Sequence, residues 1–202
     1  MFSYINDNNL STTLPTTKDK LINVILEYWK KDEIVQLPNV NERPKGDIQA
    51  MATEFSTWFY SIMNQTEPIP VNHFFPDAIA RVTLITSNQR DFEERIGQAD
   101  IAEILHKTRH HYGLYFNPNL MTDGVRGLVD PHGLVIVLAC GTLHANNTCS
   151  GIFEQMFSLA RDPICGNNWK IKKTELNLRS DTNINQQPKL SDCELSVRYN
   201  ES

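Results

Sequence analysis

The chain has 202 residues, a formal net charge of −5 and 40% hydrophobic residues, enough for one domain with a real core and modest extensions. The mild acidic excess argues against direct nucleic-acid binding, which needs clustered Lys and Arg. No run approaches the roughly 20 apolar residues of a membrane helix, and Met1-Phe-Ser-Tyr-Ile5 lacks the basic segment and apolar core of a signal peptide, so an intracellular protein of nucleus or cytoplasm is expected.

The spacing predicts a first helix from Thr16 to Lys31. Thr16 or Thr17 can cap it, and Leu21, Ile22, Val24, Ile25, Tyr28 and Trp29 form its apolar stripe. Asp32 to Lys45, with Pro38 and Pro44, reads as a linker. A second helix starts at Asp47, its N-cap. Ile48, Met51, Phe55, Phe59 and Ile62 recur at spacings of three and four, with Trp58 beside them. That apolar load marks it as the helix a sheet would wrap. His73-Phe-Phe-Pro76 reads as an aromatic turn and Ala80 to Thr86 as a strand. Gly97 to His110 is a helix burying Ile101, Ile104 and Leu105. Tyr112 to Leu120 is a strand, and Asp123-Gly124 a turn.

Three long strands follow. Gly133 to Leu143 is apolar on both parities, as a strand buried on both faces requires. Gly151 to Leu159 alternates, with Phe153, Gln155, Phe157 and Leu159 on one face and Glu154, Met156 and Ser158 on the other. From Asn168 to Leu178 the phase changes: Trp169 and Ile171 share one parity, Leu176 and Leu178 the other. A bulge or sharp twist near Lys173-Thr174-Glu175 is therefore predicted. His144 to Thr148 holds the turn between the first two long strands. Ser180 to Ser202 is polar and irregular and reads as a flexible tail. The sum is an α+β fold, a curved antiparallel sheet wrapped around helices. It divides into an N-terminal helix and linker (1–46), the cone-shaped domain (47–179) and the tail (180–202).

Chemistry is sparse. Cys140, Cys149, Cys165 and Cys193 show no close pairs, so reduced, partly buried thiols are expected. A zinc site from Cys140 and Cys149 with His132 or His144 lacks the usual tight ligand pairs. No metal or cofactor is expected. Gly124, Gly127 and Gly133 lack phosphate-loop spacing and read as turns. Catalysis would need a carboxylate, His or Tyr in the open end of the cone with a partner. By position, His73, Tyr112, His132 and His144 are the pocket candidates, but no acid–base pair emerges. On the outer sheet face, Glu154 and Met156 join the second apolar parity of the Gly133–Leu143 strand. The helices cannot cover that patch, and such patches mark partner surfaces. Glu154 and Met156 are the interface candidates, for a homodimer or another protein partner. The alternative is that the linker or tail of the same chain covers them.

Gly141-Thr-Leu143, Phe153-Glu-Gln-Met-Phe-Ser-Leu159, Asn168-Trp-Lys-Ile171 and Leu176-Asn-Leu-Arg179 resemble the nuclear transport factor 2-like superfamily. Phe55-Ser-Thr-Trp-Phe-Tyr-Ser-Ile-Met63 is similar to its opening helix, and the match covers about Asp47 to Arg179. Pro131-His-Gly-Leu-Val135, Gly141-Thr-Leu-His144, Asn147-Thr-Cys149, Gly151-Ile-Phe-Glu-Gln155 and Asn168-Trp-Lys-Ile-Lys172 look most like an uncharacterised animal family, that of the human chromosome 3 open reading frame 38 protein. The resemblance implies a cone domain whose sheet face commonly mediates dimers. It also implies an intracellular protein linked with apoptosis regulation, with no established enzymatic activity. The expected function is a non-catalytic protein-interaction module. The alternatives are a small-molecule isomerase or hydrolase using the cone pocket, and an accessory subunit in nuclear transport or RNA export.

Overall fold

A computed structural model describes residues 45–163, 168–181 and 184–200. The predicted helix from Thr16 to Lys31, most of its linker, and Cys165 lie outside the described residues. Helix α1 (Lys45–Met63) comes first, then strands β1 (Phe74–Ile85) and β2 (Arg90–Ile96), helix α2 (Gln98–His111), and the short strands β3 (Tyr115–Pro118) and β4 (Val125–Val129). The long strands β5 (Val135–Ala145), β6 (Thr148–Asp162) and β7 (Asn168–Ser180) precede a short C-terminal helix α3 (Glu194–Asn200).

The buried face of α1 is rotated slightly from its predicted stripe. Ala52, Ser56, Phe59, Tyr60 and Met63 are fully enclosed, while Ile48, Met51, Phe55 and Ile62 flank them half-buried. Tyr60 is the aromatic buried beside Phe59, and Trp58, expected alongside the stripe, lies at the rim with 37% of its surface exposed.

The seven strands form one sheet in the order β2-β1-β7-β6-β5-β3, and β4 pairs with β5 beyond the end of β3. The sheet is mixed, whereas the sequence predicts an antiparallel one. β1 and β7 pair in parallel, with Val82 opposite Leu176 and Leu84 opposite Leu178. Parallel neighbours need a long crossover, and here a helix and five strands intervene between the two.

Two strands escape the sequence reading. β2 (Arg-Asp-Phe-Glu-Glu-Arg-Ile) is exposed along its whole length, so no buried parity marks it. Its charges suit an edge that must not recruit further strands. β4 is hidden by Gly127, which the sequence suggests is a turn. It lies mid-strand instead, under α1. A Cβ there would stand 2.5 Å from the Ile48 carbonyl oxygen and 3.0 Å from the Ala52 Cβ, so glycine is what lets helix and sheet approach. The expected aromatic turn at His73–Pro76 is also replaced: Phe74 already begins β1, fully buried.

The sheet curls through its longest strands. β6 has 15 residues, about 50 Å if straight. Two extra residues break the ladder: Ser150 on β6, between the Leu143–Gly151 and His144–Cys149 pairs, and Lys172 on β7, between the Ser158–Lys173 and Leu159–Ile171 pairs. Lys172 is next to the stretch where a bulge is predicted and accounts for the phase change. Before it Ile171 faces inward, and after it Thr174, Leu176 and Leu178 do, all buried.

Apolar packing lies on both sides of β5 and β6. Inside the cone, Phe59, Tyr60, Phe116, Phe153 and Phe157 interlock with ring centroids 4.6–6.5 Å apart. On the outer side, Ile136, Leu138, Cys140 and Met156 form a second cluster with Leu190, Cys193 and Leu195. The residues expected as a flexible tail therefore contain α3 and a preceding turn, Leu190–Asp192, packed on the sheet. The reason is the double apolar parity of β5, whose outer row would otherwise stay in water.

Candidate interaction face

The outer face is built by strand alternation. Ile136, Leu138 and Cys140 of β5 lie beside Glu154, Met156 and Ser158 of β6, and next come Glu175 and Asn177 of β7. The C-terminal segment crosses this surface in an ordered way. Asn119 Nδ2 donates to the Pro188 carbonyl at 3.0 Å, and the Leu190 amide donates to the Asp123 carbonyl at 2.8 Å. Leu190 and Leu195 then insert side chains that are 7% and 1% exposed. Burying each contributes about 1.5–3 kcal/mol.

Glu154 sits at the centre and is 7% exposed. Its Oε2 accepts the Leu195 amide at 3.1 Å, and its Oε1 accepts Asn177 Nδ2 at 2.8 Å. The carboxylate thus caps the free N–H groups that open α3, where a negative charge also suits the helix dipole. Ion pairs ring the contact: Glu194 meets Arg90 at 3.0 Å and Arg179 at 3.2 Å, and Arg198 meets Glu175 at 3.3 Å. Their cationic side chains are between 38% and 54% exposed, so each is worth at most about 1 kcal/mol. Burial pushes the Glu175 carboxyl up, but the Lys173 hydrogen bond and the charges of Lys173, Arg198 and Arg81 outweigh it and hold the group below 4.5.

The two interface candidates, Glu154 and Met156, do lie together on this face. They are not open to solvent: Met156 is fully buried. The patch that the helices leave bare is covered by the chain's own segment, the alternative set beside a partner in the sequence reading. Leu195, Glu194 and Asn177 escaped that reading. The usable signal was the apolar series Leu190, Cys193, Leu195, Val197 and Tyr199 inside an otherwise polar tail.

The cone interior holds a neutral chain of hydrogen bonds. Tyr60 Oη donates to Gln155 Oε1 at 3.0 Å, Gln155 Nε2 donates to Thr174 Oγ1 at 2.9 Å, and Thr174 Oγ1 donates to the Met156 carbonyl at 3.0 Å. All three side chains are buried. Desolvation raises the Tyr60 hydroxyl well above its ordinary value, so it stays protonated. No carboxylate or imidazole belongs to this series of bonds, which pairs the buried polar groups of Tyr60, Gln155 and Thr174.

The pocket candidates are dispersed. His73 is half-buried with its ring edge-on to Trp58 at 4.8 Å, and desolvation followed by the Lys170 charge lowers its pKa below 6.5. His132 is exposed in the Asp130–Gly133 turn, its amide bonded to Asp130 Oδ1 at 2.9 Å. His144 Nε2 sits 3.0 Å from Thr142 Oγ1 near the end of β5. Tyr112, 46% exposed, lines two clefts. One, about 370 Å³ at the strand ends, also includes Leu84, Leu114, Leu143 and Leu178. The other, about 590 Å³ between β1–β2 and α2, includes Phe92, Glu93, Ile104 and His106. His73, His132 and His144 line neither. Among the described residues no group of three or more His, Cys, Asp or Glu side chains is placed to hold a metal.

These features define an α+β cone whose concave side is filled by aromatic rings and whose convex sheet face is occupied by its own C-terminal segment. The chain belongs to the family of the DUF4518 C-terminal domain, which matches residues 49–189. It is 32% identical over 175 residues to a mouse (Mus musculus) protein, "Uncharacterized protein C3orf38 homolog", covering 83% of this chain and 48% of that one. The rat (Rattus norvegicus) protein of the same description is 30% identical over 205 residues, covering 88% and 59%. The chain thus spans about half the length of the curated relatives it matches. Among solved structures it is similar to nuclear transport factor 2 (Ntf2) from Cryptosporidium parvum, with a TM-score of 0.49 and 15% identity over 67% of this chain and 98% of that one.

Proposed function

We propose that the domain is a non-catalytic protein-interaction module whose binding surface is the outer sheet face. The observation that carries this reading is how segment 188–199 occupies that face. An extended entrance anchored by Asn119 leads to the buried side chains of Leu190 and Leu195, and a helix start is received by Glu154. A surface that seats one peptide in this way suits a protein segment with the same features: aliphatic anchors just before a helix N-terminus. A second copy exchanging its own segment would meet those requirements, so a homodimer formed through this face is one form of the proposal. Met156 and Glu154 are then contacts for whichever occupant is bound.

The neutral Tyr60–Gln155–Thr174 chain supports a non-catalytic role, because isomerase or hydrolase chemistry in the cone needs an acid–base pair. The link with apoptosis regulation and the placement in nucleus or cytoplasm rest on family resemblance.

The test is the solution mass of the full chain across a concentration series, wild type and Leu195→Glu. Wild type is expected to be monomeric when dilute, its face covered by its own segment, and to dimerise on concentration only where segments exchange. The variant, with the segment expelled by a charge, is expected to bind an added wild-type peptide of residues 186–200 on the vacated face. A variant that stays folded by circular dichroism, stays monomeric and ignores the peptide would remove the proposal's basis.

A further inference from the structure

Cys140 and Cys193 meet across the boundary between the sheet and the segment that covers it. Cys140 projects from the outer face of β5 and is fully buried. Cys193 immediately precedes α3 and is 5% exposed. Both belong to the cluster of Leu138, Met156 and Leu195. Their thiols donate to adjacent carbonyls, Cys140 to Pro188 and Cys193 to Lys189, each at 3.3 Å. The two sulfurs therefore contact the carbonyls of successive residues of the covering segment. All three described cysteines are free thiols, and the third, Cys149, lies apart at the β5–β6 turn.

We infer that Cys140 and Cys193 are a disulfide-forming pair that fastens the C-terminal segment to the sheet face when a peroxide oxidant is present. One thiol gives its sulfur electron pair to the peroxide and becomes a sulfenic acid, releasing the first water as the O–O bond breaks. The second thiol attacks that sulfur, the S–S bond forms, and the sulfenic oxygen leaves as a second water. The pair loses two protons and two electrons in total, and the peroxide is reduced.

The covered state guards the pair. The neighbouring Cys140 and then burial hold the Cys193 thiol far above its ordinary value, so little thiolate is available for attack. Oxidation therefore proceeds through transient release of the segment, and its product prevents further release. Reduced, the face can exchange its occupant; oxidised, it is closed. The pair's chemistry does not depend on the interaction module proposed above, since the lock forms whether or not a partner exists.

The experiment treats the full chain with hydrogen peroxide under native conditions and maps peptides without reductant. A cross-linked peptide joining Cys140 to Cys193 is expected, with the mass about 2 Da below that of the reduced chain. The thermal midpoint should rise, and dithiothreitol should reverse both changes. Cys140→Ser should lose the cross-link and Cys149→Ser keep it. Should Cys140→Ser fail to fold, Cys193→Ala in the covering segment gives the same readout. Cross-links to Cys149 or Cys165 that leave Cys140 and Cys193 as thiols would overturn the inference. Formation of the bond only in denaturant, or separate overoxidation of the two sulfurs, would do so equally.

Discussion

Replacing Glu154 by Ala separates a capping role from an open interface role. In the structure the side chain is 7% exposed and accepts two hydrogen bonds, from Leu195 N at 3.1 Å and Asn177 Nδ2 at 2.8 Å. Hydrogen bonds to a charged group contribute about 1.5–3 kcal/mol each. Against them stands the cost of holding a carboxylate away from water, which the alanine variant no longer bears. The balance is a loss of about 2–4 kcal/mol, with the Leu195 amide left unpaired and α3 loosened. For a chain of this size that lowers the melting midpoint by roughly 5–15 °C. Glu154→Gln keeps an acceptor for the Leu195 amide, so it should lose less than half as much. The assay is thermal unfolding by circular dichroism, combined with hydrogen exchange at the α3 amides. A Glu154→Ala variant that melts within about 1 °C of wild type and leaves Leu195 exchange unchanged would refute the capping argument.

Tyr60→Phe removes one hydroxyl and leaves Gln155 Oε1 buried without its donor. Destabilisation of about 1–2 kcal/mol is expected by urea titration, and a neutral or stabilised variant would show that the chain of hydrogen bonds carries no net energy. The depressed pKa of Glu175 makes a signed prediction. A carboxylate lowered on folding adds stability that is fully present above its ordinary value of 4.5 and is lost as pH falls through the lower folded value. Because Arg198 of α3 reaches Glu175, amide exchange in α3 should speed up in wild type as pH falls below 4.5, after correction for the intrinsic rate. In Glu175→Gln, α3 should already exchange faster at neutral pH and show no such step; equal pH dependence in the two proteins would refute the assignment.

Much of the cone is written in local patterns. α1 is legible because its apolar residues recur at helical spacing, and β6 because Phe153, Phe157 and Leu159 alternate with Glu154 and Met156. The β7 bulge shows itself as a shift of parity, since an extra residue must flip every side chain beyond it. β2 is not legible: an edge strand exposed along its length has no reason to alternate. Nor is the role of Gly127, whose missing Cβ matters only because α1 crosses at that point.

The face itself divides in the same way. The double apolar parity of β5 requires, from sequence alone, that something cover the outer row. Which segment does so is a matter of three-dimensional proximity. Leu190 and Leu195 follow β7 in a polar stretch with little periodicity, and they become anchors only because the chain turns back past Asp123 and Asn119 to reach them. Glu154 has the parity of a solvent-facing residue, and it becomes a buried cap only once α3 starts above it. Local periodicity reports which side chains must leave water. Tertiary structure decides what meets them, because that depends on contacts between residues far apart in the chain.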